Sequence, residues 1–209
     1  MIYYLGHETK HMNISEIIET KINNAQYGTV FIVSDFIGIA SYDTVRKILS
    51  RLSNKNIIKK IIRGMYYKPK FSSLLNEYVE PNINLVAEAI ARNYGLAIAP
   101  TGETSLNLLG ISTQVTSHYE FISSGPYRTY CINGITISFS HRVDKDFTGM
   151  SYKTKLLTQA IKTIGKEKIN DYIYIISNRL TEEDKQVAFE EAKRTTAWVY
   201  EVIKKACKY

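Results

Sequence analysis

The sequence predicts an α+β chain in two parts, a small N-terminal part and a larger mixed α/β part that ends in helices. Three observations predict it. Apolar residues recur at helical spacing, then give way to a β-branched hairpin pattern, within the first 70 residues. Short β runs with turn signals fill 119–139, and helical stripes return after residue 150. With 209 residues and 44% hydrophobic side chains, the chain has enough apolar material for a well-packed core.

In the first part, Asn13 or Ser15 can cap a helix carrying Ile14, Ile17, Ile18, Ile22 and Ala25 at helical intervals. Gly28-Thr29 breaks that pattern. Residues 30–33, Val-Phe-Ile-Val, are too few for a helix and predict a brief strand, followed by Asp35 as the cap of a short second helix over 35–40. Ser41 then caps a third helix, in which Val45, Ile48, Leu49 and Leu52 face inward while Asp43, Arg46, Lys47, Ser50 and Arg51 share the opposite face. The β-branched run 57–62 turns at Arg63-Gly64 and returns through Met65, Tyr66 and Tyr67, because a Gly in a two-residue connection permits the positive φ of a tight hairpin. The order helix, strand, helix, helix, hairpin is that of a winged helix-turn-helix. Residues 13–70 are therefore assigned to it, 1–12 to an extension before it, and 71–82, with Ser72, Ser73 and Pro81, to a linker.

The second part, 83–209, begins with an apolar helix at 85–91 closed by Gly95, and a buried strand at 96–99 that Pro100 ends. Thr101 or Thr104 caps a helix holding Leu106, Leu108 and Leu109, which Gly110 terminates. Strands are expected at 119–122, 128–132 and 136–139, the last two joined by Asn133-Gly134, the strongest short hairpin signal. Leu156, Leu157, Ala160, Ile161 and Ile164 form one helical stripe. A final helix from about Glu182 places Phe189, Ala192, Thr196, Val199, Ile203 and Ala206 on a seam of near-3.5 spacing. That seam is read as core, with a homodimer or partner surface beside Trp198 and Tyr200 as its other use.

Charge points to a polyanion. The chain carries 27 Lys and Arg against 20 Asp and Glu, a net +7. Between Thr44 and Lys70 stand nine basic residues and no acidic one, so this segment alone exceeds the whole excess. Cys131 and Cys207 have no CxxC partner and read as reduced, partly buried thiols, which excludes a disulfide framework and a cysteine metal site. No apolar run approaches the roughly 18 residues of a membrane span, and the polar N-terminus is unlike a signal peptide, so a cytoplasmic location is expected.

Several longer strings carry a resemblance. Arg63-Gly64-Met65-Tyr66-Tyr67-Lys68-Pro69, then Ala99-Pro100-Thr101-Gly102 followed by residues 106–114, Leu-Asn-Leu-Leu-Gly-Ile-Ser-Thr-Gln, and finally Ser123-Ser124-Gly125-Pro126 stand in order along the chain. From about Ile14 to Phe147 the sequence resembles the AbiEi-like antitoxins of type IV toxin–antitoxin and abortive-infection systems of phage defence. The resemblance implies a winged helix that binds the promoter of its own operon as a transcriptional repressor, and a C-terminal domain needed for neutralisation. It also implies a nucleotidyltransferase-like toxin that is opposed without a stable complex.

The predicted DNA contacts follow from the third helix and the wing. Ser41, Tyr42, Thr44, Arg46 and Lys47 stand at the N-terminal end of the third helix, with Arg51 a turn further on, where a major groove would meet them. Arg46 can donate two bonds to guanine, whereas Ser, Thr and Tyr hydroxyls serve phosphate or base edges. Asp43 would cap the helix or accept from a cytosine amine. Arg63 at the wing tip could enter a minor groove, flanked by Lys59, Lys60 and Lys68. Tyr66 and Tyr67 are read as packing residues.

No catalytic, metal-binding or cofactor-binding set is predicted, and the chain is read as non-enzymatic. Gly102, Gly110 and Gly125 are assigned unusual backbone angles rather than a ligand loop, since none follows phosphate-loop spacing. Thr101, Asn107 and Gln114 are assigned to buried polar groups. The rival reading is a nuclease-like enzyme targeted by the winged helix, with His141, Asp144 and Asp146 as ion ligands. The interleaved Arg142 and Lys145 make that segment an ordinary charged loop instead.

Overall fold

The computed structural model describes residues 13–114, 116–142 and 149–208. The chain divides into two compact units, one ending at Asn93 and one beginning at Tyr94. The expected extension at 1–12 lies outside the described residues. No described helix is long and apolar enough to cross a membrane. The fold class is α+β as the sequence predicts.

Helix α1 (Ile14–Asn24) opens with a reciprocal cap in which Asn13 Oδ1 accepts from the Glu16 amide and Glu16 Oε2 accepts from the Asn13 amide, each at 2.9 Å. Strand β1 (Val30–Ile32), helix α2 (Tyr42–Asn54) and the hairpin of β2 (Lys59–Ile62) and β3 (Met65–Tyr67) follow. The strands form an antiparallel sheet in the order β1-β3-β2. Its middle strand is β3, so Met65, Tyr66 and Tyr67 are all buried. Ile18 and Ile22 of α1 close one core with Phe31, Phe36, Ile58, Tyr66 and the four predicted inward residues of α2.

The second helix expected at 35–40 is instead a single 3-10 turn, Val33–Phe36, with a further turn through Ala40. Asp35 explains it. Its Oδ2 reaches back to the Ile32 amide at 2.9 Å and its two oxygens take the Arg92 guanidinium at 2.9 and 3.1 Å, so it caps nothing ahead of it. Ile37, Gly38 and Ile39 are also poor helix formers.

The segment expected to be a plain linker at 71–82 holds a separate hairpin, β4 (Lys70–Ser72) and β5 (Glu77–Val79), turning at Asn76 with φ +52°. Helix α3 (Ile83–Asn93), expected to open the second domain, sits in the first unit. Its Arg92 also donates to the Val30 carbonyl at 3.2 Å.

The second unit has a mixed sheet, β6 (Ile98–Pro100), β7 (His118–Ser123), β8 (Arg128–Ile132) and β9 (Ile135–His141), in the order β6-β7-β9-β8. Strands β8 and β9 turn at Asn133 and Gly134, both at positive φ, as the Asn-Gly signal predicts. Strand β7 runs parallel to β9. Helices α4 (Gly102–Leu109), α5 (Tyr152–Ile164), α6 (Ile173–Ser177), α7 (Glu182–Glu191) and α8 (Ala197–Ala206) supply the helical layer. The predicted stripe of α5 joins Leu109, Ile173, Ile176, Ala192, Val199, Ile203 and Ala206 in one core.

Several expectations for this unit need correction. The final helix is broken: a 3-10 turn at Ala192–Arg194 and extended Thr195 and Thr196 separate α7 from α8, and Thr195 Oγ1 donates to the Ala192 carbonyl at 2.7 Å. Ala188, not Phe189, takes the inward position of α7. Gly125 does not adopt a positive φ. It is small because a Cβ there would meet Leu96 Cδ1 at 2.5 Å, a close approach rather than an unusual angle. Thr104, more than Thr101, serves the interior: its buried Oγ1 accepts from the Glu120 amide at 2.8 Å.

Glu191 ties α7 to the start of α5. Its Oε2 accepts from the Ser151 amide and the Ser151 hydroxyl, each at 2.8 Å. Partial burial pushes its carboxyl upward, but the Ser151 and Thr154 donors outweigh this and hold it below the ordinary carboxylate range. A depressed folded value stabilises at pH above the unfolded carboxyl's titration and loses that contribution as pH falls through the folded one. Glu191→Gln is therefore expected to lower stability at neutral pH, with the gap to wild type closing on acidification. Denaturant melts across pH check this, and a constant gap contradicts it.

Candidate nucleic-acid interface

The outward face of α2 is built by its own periodicity. Burying Val45, Ile48, Leu49 and Leu52 leaves Tyr42, Asp43, Arg46, Lys47, Ser50 and Arg51 exposed on the other side. Ser41 caps the helix, its Oγ accepting from the Thr44 amide at 3.4 Å and sharing a hydrogen bond with the Thr44 hydroxyl at 2.9 Å. Asp43 lies in the first turn, where a negative charge suits the helix dipole, and its Oδ1 is 3.5 Å from Arg46 Nε. Both members of that pair are more than half exposed, so water screens it and the guanidinium can leave it at little cost.

The β2–β3 hairpin adds a second set. Arg63 and Gly64 form the turn between β2 and β3, with Gly64 at φ +78°, where a side chain would be strained. Arg63 and Lys60 are exposed. Lys60 pairs across the hairpin with Tyr66, whose ring packs into the core beneath α2. The sheet thus holds hairpin and helix together through Tyr66. Burial pushes the Tyr66 hydroxyl up, with Arg46 acting against it, and burial together with Glu80 pushes up that of Tyr67. Both tyrosines stay neutral and act as packing residues, as predicted.

Besides Ser41 and Thr44 in the helix cap, three of the ten predicted contact residues are employed within the fold. Arg51 donates through Nη2 to the Ser15 hydroxyl, joining α2 to the first turn of α1. Lys59 lies with its ammonium 3.7 Å from the centre of the Tyr78 ring. Lys68 donates to the carbonyls of Asn23 and Ala25 at 2.5 and 2.8 Å, a cation at the C-terminal end of α1. Among the described residues, Lys47, Lys60 and Arg63 carry no ion pair. Sequence reasoning leaves Lys55 and Lys70 out of the contact set although both are exposed, and the basic run itself is the signal for them.

The family match runs across both units, covering residues 17–187, and the matching family is DUF6088, described as a family of unknown function. The chain belongs to the DUF6088 family. No curated protein matches it. Two further expectations meet this DUF6088 chain's second unit. His141 Nδ1 bonds the Gly125 carbonyl at 3.1 Å, which is a structural use, and Asp144 and Asp146 lie outside the described residues. No group of three metal-ligating side chains occurs among the described residues. Cys131 is exposed rather than partly buried, while Cys207 is half-buried and donates to the Lys185 carbonyl at 3.3 Å.

Proposed function

We propose that this DUF6088 chain is a cytoplasmic DNA-binding protein whose first unit works as a winged helix-turn-helix, repressing its own promoter. The observation that carries the reading is the pairing of an outward basic face on α2 with an exposed Arg63 turn, held by a three-stranded sheet of order β1-β3-β2. In it, α2 enters the major groove with Tyr42, Arg46 and Lys47 foremost, and Ser41 and Thr44 bond phosphate or base edges there. The wing sets Lys60 and Arg63 on the flanking backbone. Arg51, Lys59 and Lys68 act indirectly, by fixing α1, the second hairpin and the helix end.

The antitoxin role rests on the AbiEi-like sequence resemblance, and the partner it names is a nucleotidyltransferase-like toxin opposed without a stable complex. Co-expression with a neighbouring nucleotidyltransferase-like reading frame should restore growth that the frame alone arrests, and continued arrest would remove the antitoxin half of the reading.

Binding by the full chain to a labelled duplex from its own upstream region, titrated at several salt concentrations, tests the DNA half. Neutralising the three free cations predicts that log affinity falls against log salt with a slope of about −3 or steeper. A flat dependence means that phosphate neutralisation is not the basis of binding.

A further inference from the structure

Ser41 and Asp43 both stand at the start of α2, but the cap belongs to Ser41, whose Oγ accepts from the Thr44 amide at 3.4 Å. Asp43 makes a different contact. Its Oδ1 lies 3.5 Å from Arg46 Nε, with the carboxylate side chain 77% and the arginine side chain 52% exposed. A pair so open to water contributes little to the fold, and a carboxylate in an exposed first turn adds little more through the helix dipole. Neither use accounts for an acid at this position.

On a DNA-binding face the same carboxylate acts against its neighbours. From Ser41 to Lys70 Asp43 is the only acid, against nine basic residues, so a phosphate drawn in by those cations is repelled beside the first turn. In a major groove a carboxylate has one kind of partner, an amine on a base edge. Cytosine offers its N4 amine alone there, whereas adenine sets the N7 acceptor beside its N6 amine and repels the second carboxylate oxygen. Asp43 and Arg46 share the exposed face three residues apart, a rise of about 4.5 Å along the helix and close to the roughly 3.4 Å step between base pairs. The two side chains therefore reach neighbouring pairs, the guanidinium on guanine and the carboxylate on cytosine.

We infer that Asp43 is a specificity-determining residue, accepting from the cytosine amine of the base pair next to the guanine taken by Arg46 and weakening binding to DNA that lacks that pair. The operator then carries two adjacent G·C pairs under the start of α2. In the free protein the carboxylate holds Arg46, and in the groove each side chain turns to its own base. The inference rests on the DNA-binding reading of the first unit.

The test titrates the full chain against a labelled duplex from its own upstream region and against a random duplex. It adds a set in which the cytosine of each G·C pair in the footprint is replaced in turn by adenine, and its guanine by thymine. The wild type should lose about tenfold or more at one pair, beside the pair that Arg46 reads. Asp43→Ala should be indifferent at that pair and bind the random duplex more tightly than the wild type does. Asp43→Asn should prefer adenine there, because its amide matches the adenine N6 and N7 together. At 77% exposure Asp43 can be replaced without loss of fold, so a variant melting well below the wild type assigns the residue to stability and overturns the inference. An alanine variant that keeps the wild-type penalty at every pair overturns it too. A wild type whose affinity ignores salt removes the DNA-binding reading itself, which separates the two failures.

Discussion

Phe36→Ala is expected to remove about 3–5 kcal/mol from the stability of the first unit, the range for deleting a fully buried phenylalanine. Phe36 has no exposed surface, its ring centre is 5.9 Å from that of Phe31, and it packs among α1, α2 and the 3-10 turn. Its carbonyl also takes the Ile39 amide at 2.8 Å, so the cavity opens at the turn that sets α2 in place. Small domains have only about 5–15 kcal/mol in total, and the first unit of the variant should unfold well below the wild-type melting temperature. Ile37→Ala is the control, because Ile37 is exposed one residue away and its loss should cost within about 0.5 kcal/mol. Denaturant titration followed by a probe in the first unit separates the two. Equal effects would show that the core is not centred on Phe36.

The second large effect separates base reading from phosphate binding. Arg46→Ala is expected to cost roughly 1–3 kcal/mol of discrimination, lowering affinity for the operator far more than for random duplex, if its guanidinium makes a bidentate base contact. Lys60→Ala should weaken both complexes about equally, since an ammonium on the wing strand meets only backbone. The pair held with Asp43 does not blunt the effect, because so exposed a pair contributes little. Both variants are titrated against both duplexes at one fixed salt concentration. Should Arg46→Ala weaken both duplexes alike while Lys60→Ala erodes only the operator complex, the wing reads the sequence and α2 does not.

Much of the candidate site is legible in the amino-acid sequence itself. The inward set of α2 follows from spacing alone, as does the basic outward set that spacing leaves over. The Gly64 turn and the Asn133-Gly134 turn follow from residues that tolerate positive φ. The cap at Ser41 follows from a hydroxyl placed one residue before an apolar period. These are local properties, fixed by chain geometry over a few residues, and they depend on no distant partner.

Only the tertiary structure decides how the remaining polar groups are used. Asp35 reads as a helix cap, yet Arg92, 57 residues later, takes both its oxygens and the expected helix becomes a single turn. Lys68 and Lys59 read as DNA contacts, but the carbonyl end of α1 and the Tyr78 ring hold them. The regular seam from Ala192 to Ala206 suggests one helix, and the chain interrupts it at Thr195, turning Thr196 outward while Ala192, Val199, Ile203 and Ala206 stay buried. Periodicity reports which side of an element is apolar, because burial acts on each residue where it stands. Which cation meets which carbonyl, carboxylate or ring depends on segments far apart in sequence becoming neighbours, and that is settled only when the packed elements bring them within hydrogen-bonding reach.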